Sequence, residues 1–281
     1  MGGPRGRAGR HRSGVTAGPS AGRWRVGRSP TGPSVGPGGC PGPYAAGMPN
    51  QSSALLPDAA DRADAAFVRA ATRPADVPFV PEVRLQMAED AIALWETTET
   101  ARGEIGLPPP FWAFAWAGGV AVARYVLDHP ELVAGRTVLD VAAGSGLVGI
   151  AAALRGAASV RAAEIDAYAV AAVGINAELN GVRVDAAVED LLDGDGGPAE
   201  VVLAGDVFYE RGMAARFLPF LERAQARGAL VIVGDPGRAY LPRERFTALA
   251  AYEVPVVADL EDAALKTTTV WQLTAAAPPA V

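Results

Sequence analysis

The chain is poor in the residues from which metal sites and covalent frameworks are built. Of its 281 residues one is cysteine, Cys40, and two are histidine, His11 and His129. A lone cysteine excludes an internal disulfide, and so short a supply of soft ligands argues against a metal centre. No stretch approaches the roughly 20 consecutive apolar residues of a membrane span, so no membrane association is expected. Lysine is almost missing too: Lys266 stands alone against 24 arginines, a bias that fits a GC-rich genome.

Acidic residues are absent from the first 47 positions, which hold seven arginines and fourteen glycines. Such a segment cannot bury enough apolar surface to offset the entropy of ordering, and it reads as a disordered leader. It lacks the apolar core of a secretory signal, so a cytoplasmic protein is expected. An organelle transit sequence or a basic tail that touches nucleic acid are other readings of it. Ordinary composition begins at Met48, and the expectation is that translation starts there. Residues 48–281 carry 18 basic against 31 acidic groups, a net charge of −13. A body this acidic argues against a partner tracked through its phosphates, so nucleic acid is not expected.

From Asp58, a candidate N-cap, a helix runs through Phe67 and Val68 and must stop before Pro74. Residues 74–81 read as an extended connector, and 82–99 fit strand or helix equally. After Pro108-Pro109-Pro110 the pattern is an alternation. It gives helices at 120–127, 147–154, 167–179, 213–226 and near 243–251. Between them fall strands at 137–141, 159–164, 182–188, 201–205 and 229–234, with two more near 252–257 and 268–273. Repeated strand–helix units imply an α/β fold: a mostly parallel sheet with helices on both faces.

The strand Thr137–Val141 runs into Ala142-Ala143-Gly144-Ser145-Gly146-Leu147-Val148-Gly149. Gly144 and Gly146 permit a tight turn and let a ligand lie against bare backbone, and Glu164 follows twenty residues on, where an acid can bind both hydroxyls of a ribose. Dinucleotides and S-adenosylmethionine both fit this pattern. Three features favour the second. Asp140 puts a carboxylate where a pyrophosphate would be repelled and a cationic amino-acid tail tolerated. Asp190 closes the third strand, placed to accept a hydrogen bond from an adenine amino group. The motif also begins about ninety residues into the body rather than at its start. A nicotinamide-dependent oxidoreductase is the alternative, disfavoured because no Tyr-x-x-x-Lys pair is present.

The fourth strand ends in Gly205-Asp206-Val207-Phe208-Tyr209-Glu210. Methyl transfer from a sulfonium needs an amine lone pair in line with the methyl group, so the work is mainly positioning. Asp206 can hold the amine and Tyr209 can line a narrow channel to it. The plainer reading makes Asp206 the cap of the following helix and Phe208 and Tyr209 core.

These residues resemble class I S-adenosylmethionine-dependent methyltransferases. Phe111-Trp112-Ala113-Phe114-Ala115-Trp116, Asn176-Ala177-Glu178-Leu179-Asn180, Asp206–Glu210, Gly234-Asp235-Pro236-Gly237-Arg238 and Thr268-Thr269-Val270-Trp271 are similar to blocks of the electron transfer flavoprotein beta subunit lysine methyltransferases. The resemblance covers about residues 65–273. It implies a Rossmann-like domain at 111–274 with a seven-stranded sheet, preceded by an extension at 48–110 and followed by a tail at 275–281. It implies that Trp116, Asp140, Gly144, Gly146, Glu164 and Asp190 hold S-adenosylmethionine, that Asp206 and Tyr209 serve the substrate lysine, and that Glu210, Asp235 and Arg238 meet the protein substrate, Asp235 and Arg238 by docking it or by shaping the rim; a salt-bridged structural role for Arg238 is an equal alternative. That partner would be the electron transfer flavoprotein beta subunit, with a ribosomal-protein or small-amine methyltransferase as the alternative. Ala142 departs from the glycine often found there and should fit if its backbone is ordinary. Phe111, Phe114 and Trp116 are not all expected to face one ligand, some of them plugging the core. His129 is expected at a helix end.

Overall fold

In the computed structural model, residues 59–256 and 264–274 are described. The leader 1–47 with Cys40, the start at Met48, the cap at Asp58 and the tail 275–281 lie outside them. All described residues belong to one compact unit spanning 54–281.

Helix α1 (Ala59–Ala71) stops at Thr72, ahead of Pro74. The connector then proves to be more than extended chain. Strands β1 (Arg73–Val77) and β2 (Val80–Met87) form an antiparallel hairpin. Its turn is Pro78-Phe79, with Phe79 at φ 70°, the left-handed angle that a tight turn started by proline demands of its second central residue. The ambiguous stretch divides at Asp90, whose side chain accepts from the Ile92 and Ala93 N–H groups and starts α2 (Ala91–Arg102); Gly103 closes that helix at φ 64°.

The sheet has seven strands: β3 (Thr137–Val141), β4 (Ser159–Glu164), β5 (Asp185–Val188), β6 (Val201–Gly205), β7 (Leu230–Asp235), β8 (Phe246–Pro255) and β9 (Leu265–Leu273). They lie in the order β5-β4-β3-β6-β7-β9-β8, and β9 alone opposes its neighbours. Between them come α3 (Ala117–Asp128), α4 (Leu147–Leu154), α5 (Ala167–Leu179) and α6 (Arg211–Ala226). Alternate residues of each strand serve the two faces: Val138, Leu203 and Ile232 pack under α3 and α4, while Leu139, Val202 and Val233 pack with Phe217 and Phe220 of α6. His129 ends α3 as expected, its Nδ1 2.9 Å from the Tyr125 carbonyl oxygen.

The helix expected near 243–251 is not there. A short 3-10 turn at Arg243–Arg245 leads into β8, one ten-residue strand that absorbs the strand expected at 252–257. Alanine and leucine at 248–251 favour a helix locally, but pairing with β9 along its whole length, with a bulge between Ala248 and Ala250, outweighs that preference.

The chain leaves β3 outward through β4 and β5, then returns to lay β6 and β7 on the other side. Strand order therefore reverses between β3 and β6, and the crevice beyond their carboxyl ends is where such sheets take ligands.

Candidate active site

A cavity of about 260 Å³ opens at that reversal. Its wall includes Phe111, Phe114, Trp116, Asp140, Gly144, Glu164, Asp206, Tyr209 and Arg238. Of the eleven residues given a site role from the sequence, seven are thus brought together: Trp116, Asp140, Gly144, Glu164, Asp206, Tyr209 and Arg238. Gly146, Asp190, Glu210 and Asp235 are not in the wall.

On the β3–β4 side the loop supplies backbone and two acids. Asp140 is buried, accepts the Gly149 N–H at 2.8 Å, and is pushed up to about 7 by burial, with the Glu164 charge adding to the effect. Glu164 folds back on its own chain: Oε2 accepts the Ile165 N–H at 2.7 Å and Oε1 the Gly144 N–H at 3.2 Å. Burial raises its pKa against those bonds. Gly144, at φ 52°, faces open space where a Cβ would meet nothing, whereas Gly146 at φ 78° lies against Val173 of α5. Bare backbone toward the cavity belongs to Gly144; Gly146 serves packing. Two exposed apolar side chains missed in the sequence, Ile165 at 75% and Val188 at 58%, stand at the carboxyl ends of β4 and β5.

Ala142 does not have the ordinary backbone anticipated for it. Its φ is 54°, the left-handed region that costs an L-residue about 1–2 kcal/mol. Ala142→Gly relieves this at the cost of a looser unfolded chain, leaving a net gain of about 0.5–1 kcal/mol. A thermal melt about 1–3 °C higher is expected; a lower one would show that the alanine methyl contributes contacts worth more than the strain.

On the β6 side, Asp206 is the hub. It is buried and left-handed at φ 55°, an angle aspartate tolerates better than most residues. Oδ2 accepts the Gly118 N–H at 2.5 Å and Oδ1 accepts from Arg238 at 2.9 and 3.2 Å. Burial raises its pKa, opposed first by the Arg238 charge. Glycine makes this approach possible. Gly205 and Gly234 are neighbours across β6 and β7, and α3 starts directly on them. A Cβ on Gly118 would strike the Gly234 carbonyl and the Asp206 carboxylate, and one on Gly205 the Gly119 backbone. The Gly118-Gly119 pair and the Gly-Asp steps ending β6 and at the end of β7 were the available signal for this junction.

Asp206 does not cap α6. Glu210 does, accepting the Gly212 and Met213 N–H groups at 2.9 and 3.0 Å. Phe208 is core, but Tyr209 is 43% exposed and tilted on Phe111 at 5.7 Å. Burial, and after it the Glu164 charge, raises the phenol's pKa, so it stays protonated. Asp235 is buried beneath the rim, where Oδ1 takes the Gly237 and Arg238 N–H groups at 2.7 and 2.6 Å and so shapes the turn that delivers Arg238. Asp190 is held well below the usual carboxylate range by Arg216 of α6, which takes both its oxygens at 2.8 and 3.1 Å.

The aromatic loop also departs from expectation. Phe111, Phe114 and Trp116 all line the cavity, and Trp112 is the core plug, packed with Tyr168 and Val68. A 3-10 turn over Phe111–Ala113 breaks the strand-like alternation that would have sent them to opposite sides. Trp116 Nε1–H donates to the Phe111 carbonyl at 2.8 Å and closes the loop.

Two carboxylates with raised pKa values, Asp140 fully buried and Glu164 partly so, suit a cationic ligand and resist a pyrophosphate, and Gly144 offers bare backbone beside them; these residues fit S-adenosylmethionine. The family described as ribosomal protein L11 methyltransferase (PrmA) matches residues 125–207. The electron transfer flavoprotein beta subunit lysine methyltransferase of Xenopus laevis is 33% identical over 233 residues, 80% of this chain and 89% of that protein. Its counterpart in Danio rerio is 34% identical over 201 residues, covering 69% and 76%. Among solved structures, a ribosomal protein L11 methylase from Lactobacillus delbrueckii subsp. bulgaricus matches at 22% identity and a TM-score of 0.43, over 57% of this chain and 80% of that one. At a third identity along nearly the whole of such a relative, the chain belongs to the electron transfer flavoprotein beta subunit lysine methyltransferases, and it is an S-adenosylmethionine-dependent methyltransferase.

Proposed function

We propose that this chain methylates lysine side chains of the electron transfer flavoprotein beta subunit, with the cofactor on the β3–β4 side of the cavity and the amine on the β6 side. The observation that carries the reading is the pairing of two acidic ends in one cavity: Asp140 and Glu164 against Asp206 and Tyr209. S-adenosylmethionine, when bound, supplies a methyl group on a sulfonium. Trp116, Asp140, Gly144 and Glu164 would hold it. Asp206 draws the lysine in as a cation and, once its proton has passed to solvent, orients the neutral nitrogen toward the methyl group; Tyr209 and Phe111 wall the approach with aromatic faces, and Arg238 keeps Asp206 in place. The body's net charge of −13 suits a partner that presents lysines on a basic surface.

A ribosomal-protein methyltransferase is the second reading, favoured by the match over residues 125–207. That match begins after Trp116 and stops before Tyr209 and Arg238, and so takes in Asp140, Gly144, Glu164 and Asp206 without the rest of the cavity. The test is to incubate the full chain with labelled S-adenosylmethionine and either purified electron transfer flavoprotein or ribosomal protein L11. Label on lysines of the flavoprotein beta subunit is expected. Label on the ribosomal protein alone would overturn the assignment.

A further inference from the structure

Asn176 has no part in the chemistry above, yet it is fully buried in the interior of α5, where asparagine is a poor helix former. Its carboxamide is spent in two directions. Oδ1 accepts the Gln86 N–H of β2 at 2.7 Å, and Nδ2 donates to the Ser145 carbonyl at 2.8 Å. Ser145 lies between Gly144 and Gly146, both left-handed, so its carbonyl direction is set by the two softest residues of the loop. One turn on, Asn180 takes the same strand: Oδ1 accepts the Arg84 N–H at 2.9 Å and Nδ2 donates to the Arg84 carbonyl at 2.6 Å. The two asparagines thus stand in for a missing strand along the free edge of β2. Asn176 alone continues from that edge to the glycine loop, and Val173, one turn before it, is the side chain Gly146 lies against.

We propose that Asn176 is a positioning residue for cofactor binding: it fixes the Ser145 carbonyl, and with it the Gly144 backbone that faces the cavity, by tying the loop to the β1–β2 hairpin. A loop that would otherwise be ordered by the ligand is ordered beforehand, and affinity rises by what that ordering costs. The inference rests on the glycine loop being the S-adenosylmethionine site. It treats the i, i+4 asparagines as unequal, one serving hairpin and loop and the other the hairpin only.

The experiment is titration of the full chain with S-adenosylhomocysteine, alongside thermal melting, for the wild type and for Asn176→Asp, Asn176→Ala and Asn180→Ala. Asn176→Asp keeps an acceptor for the Gln86 N–H and removes the donor to Ser145. It should bind about tenfold more weakly, the scale of one lost buried hydrogen bond. Asn180→Ala should melt lower yet bind within about twofold of wild type. Should the buried carboxylate of Asn176→Asp prevent folding, Asn176→Ala against Asn180→Ala decides the question. If both positions lower the melting temperature and neither changes affinity, Asn176 serves the hairpin alone and the proposal falls. Equal weakening at both would also overturn it, because control would then run through the hairpin and not through the Ser145 bond. Failure of the wild type to bind would instead remove the cofactor assignment on which the proposal stands.

Discussion

Asp206→Asn should lower the methyl-transfer rate by about 10²–10³-fold while S-adenosylhomocysteine binds within about threefold of wild type. Asparagine retains an oxygen for the Gly118 N–H and tolerates φ 55°, so the junction of α3 with β6 and β7 survives. What is lost is the charge that draws in a lysine cation and holds its nitrogen in line, an effect on chemistry more than on cofactor binding. Asp206→Ala is a poorer probe. Both variants remove the carboxylate charge that Arg238 faces at 2.9 Å, but the alanine also leaves the Gly118 N–H without its acceptor and is expected to melt lower than the asparagine variant. Rates and melting temperatures of the two variants together separate the roles. An asparagine variant that transfers methyl groups within a few-fold of wild type would remove Asp206 from the reaction. One that loses cofactor binding in proportion to rate would make it a cofactor residue.

Legibility in the sequence followed the range of the contacts. The β3–loop–α4 unit and Glu164 were readable because strand, turn and acid succeed one another within thirty residues, and local rules of turn geometry apply. The junction around Asp206 was not, because its partner Gly118 lies 88 residues away and only the folded sheet brings them together. Its trace was nonetheless present as glycines at 118, 119, 205 and 234. Asp190 was placed correctly beyond the third strand, but its distant partner Arg216 on α6 could not be seen. At β8 the local preference of an alanine-rich stretch pointed the wrong way, because pairing with β9 decides it. The aromatic loop misled for a third reason: an alternation of aromatic residues says which side chains differ in direction only if the backbone is extended, and at Phe111–Ala113 it is not.

Affinity for S-adenosylmethionine should rise with pH up to about pH 7 and level off above it. The reason is Asp140, whose carboxyl is pushed up to about 7 by burial while the unfolded value is 3.8. In the free protein the group is therefore largely protonated below pH 7. A cationic ligand favours the carboxylate, so binding below pH 7 must release a proton, and affinity falls as much as tenfold for each pH unit below that point. The same shift acts on folding with the opposite sense. A raised folded pKa contributes stability that is fully present below the unfolded value of 3.8 and is lost as pH rises through about 7, so the ligand-free protein should melt lower at pH 8 than at pH 6 on account of this group, and the ligand should raise its melting temperature most at pH 8. Asp140→Asn separates this group from the rest of the cavity. It keeps an oxygen for the Gly149 N–H, removes the titration, and should bind at least about tenfold more weakly at pH 8 while flattening the dependence between pH 5.5 and 7.5. The slope that remains belongs to the other cavity carboxylates, Glu164 and Asp206, whose pKa values are also raised by burial. Calorimetric titration across that range in two buffers of different ionisation enthalpy counts the protons released; an unchanged proton count in Asp140→Asn would assign the linkage to the other cavity carboxylates and leave Asp140 as the anchor of α4 through Gly149.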